Sequence, residues 1–301
     1  MKKVLFILLL LPIIVAKGQY LPSFSQYIYN GLAINPAYAG SKEAFTASVF
    51  YRNQWMGFDG APTDQTFSIH SPLKDPSLAL GLMVFHEKIG IRNYSSVFLN
   101  YAFRIRVWKG KLSLGLKVGF TSGKQDRIDL TENDVVFNDN TLKYFLPNFG
   151  LGVYYYDDAY FAGVSVPLIF SYKNDPVNGK YQIYNDLNNY NFYFTTGIKL
   201  LRDREISWQP SCLVKYSTSS VLQFDLNLNA TYRQFLTGGI SYRNQNAIVF
   251  LFNVKVNPQL TVGGAYDFDM GELSKYNNGS MEFFIQYRFG YKVNVPDLRN
   301  F

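Results

Sequence analysis

The chain has 301 residues, of which 48% are hydrophobic and 18% aromatic, so it is too apolar for a disordered protein and long enough for a large domain. Its formal charge of +7 falls to +4 when Lys2, Lys3 and Lys17 are removed, an excess too small to predict nucleic-acid binding. Two histidines and a single cysteine, Cys212, exclude a three-histidine metal site and an internal disulfide. We therefore predict no catalytic, cofactor-binding or metal site.

The first 18 residues have the features of an export signal. Met1-Lys2-Lys3 precedes an apolar run over residues 4–15, and the small residues Ala16 and Gly18 follow it. We expect cleavage before Gln19. Because no cysteine stands at this junction, we expect no lipid anchor, and a basic exported chain is expected to meet the lipid of the outer membrane.

Residues 19–43 are rich in aromatic and aliphatic side chains but show no strand pattern. Pro36 disfavours the α conformation at Asn35, and Gly40 permits a turn with positive φ. Leaving the apolar side chains in water costs roughly 25 cal/mol per Å². Two interpretations stay open: a plug folded into the periplasmic mouth of the barrel predicted below, or a periplasmic docking arm that becomes ordered on a partner.

Residues 44–291 alternate between apolar and polar side chains. From Leu222 to Tyr232 every second residue is apolar, over a length that suits a tilted membrane strand better than a strand of a soluble sandwich. The pattern predicts an all-β protein: a transmembrane, antiparallel outer-membrane β-barrel of about 14 strands. Their expected starts are Ala44, Asp64, Leu78, Tyr94, Leu112, Phe145, Ala159, Asn191, Ile206, Val221, Phe235, Ala247, Leu260 and Met281.

The connections between these strands predict the orientation of the barrel. Bacterial barrels have short periplasmic turns and longer outer loops. Even-numbered connections are short here, whereas the odd-numbered ones include residues 123–144, 171–190 and 271–280. We therefore expect both termini in the periplasm, with residues 292–301 as a C-terminal periplasmic tail.

The long outer connections are candidates for partner recognition, because tyrosine offers a large contact area at little entropic cost. The alternative is that long outer loops are tolerated simply because water satisfies them. The candidate partner-binding residues are Phe137, Tyr144, Tyr181, Tyr184 and Tyr190.

Charged residues of both signs fall on the inward face of the predicted strands. Such a set indicates either a watery lumen or ion pairs across the barrel. The candidate lumen residues are Arg52, Arg104, Arg288, Asp225 and Asp267, with Lys117 and Glu282 in the same phase.

Two prolines fall inside the strand pattern, where each removes a backbone donor. We expect Pro147 to begin a strand and Pro210 to occupy a bulge. The alternative is a kink that opens the barrel wall.

Several segments of the chain, and the order in which they occur, resemble the PorP/SprF family of type IX secretion and gliding proteins of Bacteroidota. The resemblance covers nearly the whole chain after the leader. One departure is Met281, where family members often have histidine. The similar segments are Asn35-Pro36-Ala37-Tyr38-Ala39-Gly40, Tyr51-Arg52-Asn53-Gln54-Trp55, Pro210-Ser211 and Gly264-Ala265-Tyr266-Asp267-Phe268.

The resemblance implies binding and cell-surface anchoring rather than catalysis. It implies an outer-membrane component of type IX secretion or gliding motility that holds the C-terminal domain of an exported, adhesin-like surface protein. It also implies periplasmic or outer-membrane lipoproteins of the secretion or gliding machinery as partners. The competing hypothesis is a passive or ligand-gated channel for small or hydrophobic compounds, and an outer-membrane enzyme is a third.

Overall fold

A computed structural model describes residues 24–126, 141–174, 181–184, 187–201, 205–218, 221–244 and 247–290. It confirms an antiparallel β-barrel closed by 14 wall strands. The expected signal peptide at residues 1–18 and the expected tail at 292–301 lie outside the described residues. Within the described part, no helix has the length and apolarity needed to span a membrane.

The barrel wall follows the order of the chain. Its strands are β1 (Phe45–Asn53), β2 (Thr63–Pro72), β3 (Leu78–Ile89), β4 (Arg92–Val107), β5 (Gly110–Asp126), β6 (Thr141–Tyr156), β7 (Tyr160–Val166), β10 (Phe192–Ile198), β11 (Leu200–Leu201), β12 (Ile206–Tyr216), β13 (Gln223–Tyr232), β14 (Leu236–Arg243), β15 (Ala247–Lys255), β16 (Leu260–Asp269) and β17 (Ser280–Phe289). Strands β10 and β11 pair with the same neighbour, β12, and form one wall strand. The expected strand starts all lie within a few residues of the observed ones.

Short elements lie outside the wall. An α-helical turn (Gly31–Ile34) and a 3-10 turn (Pro36–Tyr38) precede β1. A hairpin of β8 (Ser171–Asn174) and β9 (Tyr181–Tyr184), then a 3-10 turn (Leu187–Asn189), belong to the connection between β7 and β10. A fourth turn, Glu272–Lys275, lies between β16 and β17.

Strand β1 pairs with β17, which closes the barrel. Val49 is the register partner of Ile285, and both side chains face outward, exposed by 51% and 55%. Their sequence neighbours Ser48 and Gln286 are buried on the inside. Because side chains alternate, the same ladder that closes the wall separates an apolar outer face from a polar interior.

Both expectations for the prolines are wrong. Pro147 lies inside β6, opposite Phe120 of β5, and β6 gains its other neighbour, β7, only from Leu151 onward. Its missing N–H therefore causes no loss of pairing with a described strand.

Pro210 occupies no bulge. The register between β12 and β13 runs through it without an extra residue, and β10 and β11 share one register with β12. The pairing of β10 with β12 ends at Gly197 and Ser211, and that of β11 begins at Leu200 and Trp208. Among the described strands, the stretch of β12 without register partners on this side is therefore Gln209 and Pro210, as expected where one ladder donor is missing.

A cross-strand disulfide tests the closure. In a Cys212→Ser background, Val49→Cys with Ile285→Cys should crosslink on mild oxidation, because directly opposed antiparallel residues have the separation that a disulfide needs. The crosslink should appear as a mobility shift in a denaturing gel that a reductant reverses. The control pair, Val49→Cys with Phe250→Cys, joins strands that are not neighbours and should give no intramolecular crosslink, whereas equal crosslinking of both pairs would contradict the register.

Candidate functional site

The barrel interior near its outer end holds a buried network of charged side chains. Arg52 lies 2.6 Å from Asp267 and 3.2 Å from Glu282. Arg243 lies 2.9 Å from both Asp225 and Asp267. All five side chains are at most 8% exposed, so the pairs lie away from bulk water.

The N-terminal segment, defined here as residues 24–41, completes this network. The backbone N–H groups of Ser25 and Gln26 donate to the two carboxylate oxygens of Glu282, at 2.8 and 3.0 Å. The Ser25 hydroxyl donates to Asp267 at 2.7 Å, and the Gln26 side chain donates to Asn253 at 2.8 Å. Carboxylates of the wall therefore accept hydrogen bonds from main chain that would otherwise be buried without partners.

The motif from Asn35 to Gly40 is buried against the barrel wall. The Asn35 side chain accepts from the N–H of Ala37 at 2.9 Å and donates to the carbonyl of Val153 at 2.9 Å. The Tyr38 ring meets His70 edge-on at 5.5 Å. Pro36, Ala37 and Ala39 are also buried. The asparagine thus caps its own turn and ties it to β6.

His70 binds this motif through a contact that the sequence did not predict. Its Nδ1 accepts the N–H of Gly40 at 3.1 Å, where Gly40 has φ +74°. The period of two along β2 places His70 on the inward face but predicts no partner for it. Two features of the sequence could have indicated this contact. His70 shares the inward face with Ser68, and the N-terminal segment ends at Gly40, whose backbone N–H needs an acceptor inside the barrel.

A second charged cluster lies at the periplasmic end. Arg104 donates to the Gly40 carbonyl at 2.7 Å and pairs with Glu43 at 3.1 Å. Lys111 pairs with the same Glu43 at 2.7 Å, and Tyr156 donates to it at 2.9 Å. Arg288, the remaining candidate of the lumen set, is 4% exposed. The network near the outer end and this cluster thus hold the two ends of the N-terminal segment.

The structure brings only some of the candidate partner-binding residues into contact with one another. Tyr144 and Tyr181 meet at 5.0 Å between ring centroids, whereas Tyr190 lies beside Phe192 instead. Phe137 lies outside the described residues, and Tyr184 is described only as the last residue of β9. The outer end of β6 and the β8–β9 hairpin therefore bring two of the five candidates together.

Two adjoining clefts surround Tyr144. One, of about 500 Å³, is lined by residues that include Arg92, Tyr94, Tyr172 and Tyr181. The other, of about 610 Å³, is lined by Tyr144 together with residues that include Gly123 and Lys143. Burial raises the pKa of Tyr172, whose hydroxyl donates to the carbonyl of Pro147.

A glycine between two tyrosines explains why the rings gather here. Tyr94, Gly123 and Tyr144 are register partners on β4, β5 and β6, and a Cβ on Gly123 would lie 2.6 Å from both tyrosine side chains. Sequence reasoning missed Tyr94 and Tyr172, because their approach depends on this register and on the β8–β9 hairpin. Among the described residues, no three His, Cys, Asp or Glu side chains form a group that could hold a metal ion.

Comparison with known families decides the relationship. The family model of the type IX secretion system membrane protein PorP/SprF matches residues 16–287. The chain belongs to the PorP/SprF family. This PorP/SprF protein is an outer-membrane component associated with type IX secretion, and its departure at Met281 lies in β17 beside the network residue Glu282. No curated protein sequence matches it significantly.

Solved barrels similar to this PorP/SprF chain are distant. The CymD monoaromatic hydrocarbon channel is 11% identical with a TM-score of 0.49, over 91% of this chain and 95% of that one. Omp33 of Acinetobacter baumannii is 8% identical with a TM-score of 0.48, over 82% and 98%. A Pseudomonas aeruginosa FadL homologue is 12% identical with a TM-score of 0.48, over 91% and 96%. Likeness at this level carries no conclusion about function.

Breaking the buried network should destabilise the PorP/SprF barrel. Arg52→Gln leaves Glu282 without its guanidinium partner and Asp267 with Arg243 alone, and removing one member of a buried pair costs about 3–5 kcal/mol. The free energy of unfolding can be measured by urea titration of the detergent-solubilised protein. The control is Arg233→Gln, which breaks the exposed pair with Glu205 and should cost less than about 1 kcal/mol. Equal effects of the two substitutions would contradict a buried, partnered network.

Proposed function

We propose that this PorP/SprF protein anchors an exported, adhesin-like surface protein by binding its C-terminal domain at the outer clefts. The observation that carries the proposal is the gathering of Tyr94, Tyr144, Tyr172 and Tyr181 around two clefts at the outer end of the barrel. The wall strands β4, β5 and β6 extend to this end and give the tyrosines a rigid base.

Asymmetry between the two ends of the barrel supports this location. The periplasmic connections, such as Trp108–Lys109 between β4 and β5, leave little surface on which a partner could be distinguished. The outer connections carry a hairpin of their own and aromatic side chains. Partly exposed aromatic residues on a rigid scaffold supply contact area with little loss of side-chain entropy, and tyrosines are enriched among the residues that dominate binding energy.

Membership of a secretion-system family supports a partner that leaves the cell by that system. The domain held is proposed to be C-terminal. Periplasmic or outer-membrane lipoproteins of the secretion or gliding machinery are proposed as further partners. In this role the barrel needs no catalytic group.

The competing channel function is not favoured by the interior. A passive channel needs a continuous aqueous path, whereas residues 24–41 pack against the wall at several levels of the lumen. We therefore place the partner at the outer surface.

Removing the tyrosine pair should release the partner. Tyr144→Ala with Tyr181→Ala deletes the contact between the rings. Truncating aromatic residues that dominate an interface lowers the binding free energy by about 2 kcal/mol or more, so binding should weaken roughly 30-fold or more. Mass spectrometry of washed cells and of culture medium should show at least one exported surface protein moving from the cells to the medium. The barrel itself should remain at its normal abundance.

A matched aromatic pair at the opposite end is the control. Trp108 and Tyr155 lie 6.4 Å apart beside a periplasmic turn, so Trp108→Ala with Tyr155→Ala should leave the surface proteins attached. If every exported protein stays attached in the Tyr144→Ala, Tyr181→Ala strain at normal barrel abundance, the outer clefts are not the anchor. Docking would then have to involve the periplasmic end and its Asn35 to Gly40 motif.

A further inference from the structure

The N-terminal segment runs along the length of the lumen. At one end it contacts Arg104 and His70, which lie near the periplasmic ends of β4 and β2. At the other it contacts Asp267 and Glu282, which lie near the outer ends of β16 and β17. The segment therefore reaches beyond the periplasmic mouth into the outer half of the barrel.

Inward-facing glycines make room for the middle of the segment. A Cβ built on Gly115 of β5 would lie 2.1 Å from the backbone nitrogen of Ala37. One built on Gly152 of β6 would lie 2.1 Å from Asn35 Oδ1. At these distances no side chain fits without moving the segment, so the wall and the motif have complementary shapes.

Aromatic side chains of the segment contact further wall strands. Tyr29 stacks on Phe284 of β17 at 4.6 Å, and Tyr38 meets Tyr154 of β6 at 5.6 Å. The Tyr27 hydroxyl lies 2.8 Å from that of Ser211 on β12. The segment thus contacts strands on several sides of the lumen, which a peptide lying along one wall would not do.

We propose that the lumen is a peptide-binding site occupied by the chain's own residues 24–41, and that this occupancy closes the barrel to ions and small solutes. The glycine-lined wall of β5 and β6 seats the Asn35–Ala37 turn, while Glu282 and Asp267 hold the outer end through Ser25 and Gln26. The proposal does not depend on the anchoring function, because it concerns the interior and not the outer clefts.

Two reciprocal substitutions in the full-length protein test this occupancy. Gly115→Leu fills the space used by Ala37 from the wall side, and Ala37→Trp enlarges the segment without changing the wall. Both should raise ion conductance in a planar bilayer several-fold over the wild type. Gly238→Leu is the matched control, since a Cβ there meets nothing within 4 Å, and it should conduct as the wild type does.

Trypsin cleavage at Lys42 reports separately whether the N-terminal segment has left the lumen. Lys42 is 5% exposed and should resist cleavage in the wild type but be cut in Ala37→Trp, whose unaltered wall should still assemble. Cleavage of Ala37→Trp at Lys42 with unchanged conductance would overturn the closure. Resistance of both variants at Lys42 with unchanged conductance would overturn the proposed binding site of the segment.

Discussion

Closure of the hydrogen-bond ladder between β1 and β17 is the constraint on which the rest of the structure depends. A sheet can cross a membrane only when it has no unpaired edge, because lipid offers no partners for backbone groups. Once the sheet is closed, alternation sends Val49, Leu99 and Val118 outward and buries Ser48, Asn100 and Lys117. The interior therefore contains polar groups and charges that need partners within the protein.

The N-terminal segment and the wall satisfy one another. Main-chain N–H groups of the segment meet carboxylates, as at Glu282, and its carbonyls meet cations and hydroxyls, as where Ser165 donates to Ile34 at 2.8 Å. Arg104 joins the Gly40 carbonyl to Glu43. The small residues of the motif are explained by the same contacts, because Ala37 and Ala39 are fully buried where a larger side chain would meet the wall.

The outer surface follows a different rule, since its shape depends on where strands extend beyond their neighbours. Strand β6 continues past the end of β7, and residues from Ile169 to Tyr172 cover its side by bonding to Asn148 and Pro147. This irregular cover brings Tyr172 to Tyr144. The aromatic clefts are thus a consequence of unequal strand lengths on a closed barrel.

Much of the fold could be predicted from the sequence because a strand in a membrane obeys a period of two. The expected starts at Leu78, Ile206, Ala247 and Leu260 coincide with the observed ones, and turn lengths predict the orientation. The same period predicts that Asp267 faces inward but not that it meets Ser25, 242 positions away. Nor does it show that Gly115 and Gly152 clear a space, because contacts across a lumen depend on the curvature and stagger of the whole barrel.

Hydrogen–deuterium exchange of the purified full-length protein tests the central claim most directly, namely that the N-terminal segment is bound inside the closed barrel. The account predicts that the N–H groups of Ser25, Gln26 and Ala37, each a hydrogen-bond donor, exchange about as slowly as those of the wall strands. The exposed connection at residues 271–278 supplies the fast-exchanging reference. Exchange of the N-terminal segment as fast as this reference would contradict the account and favour a free periplasmic arm.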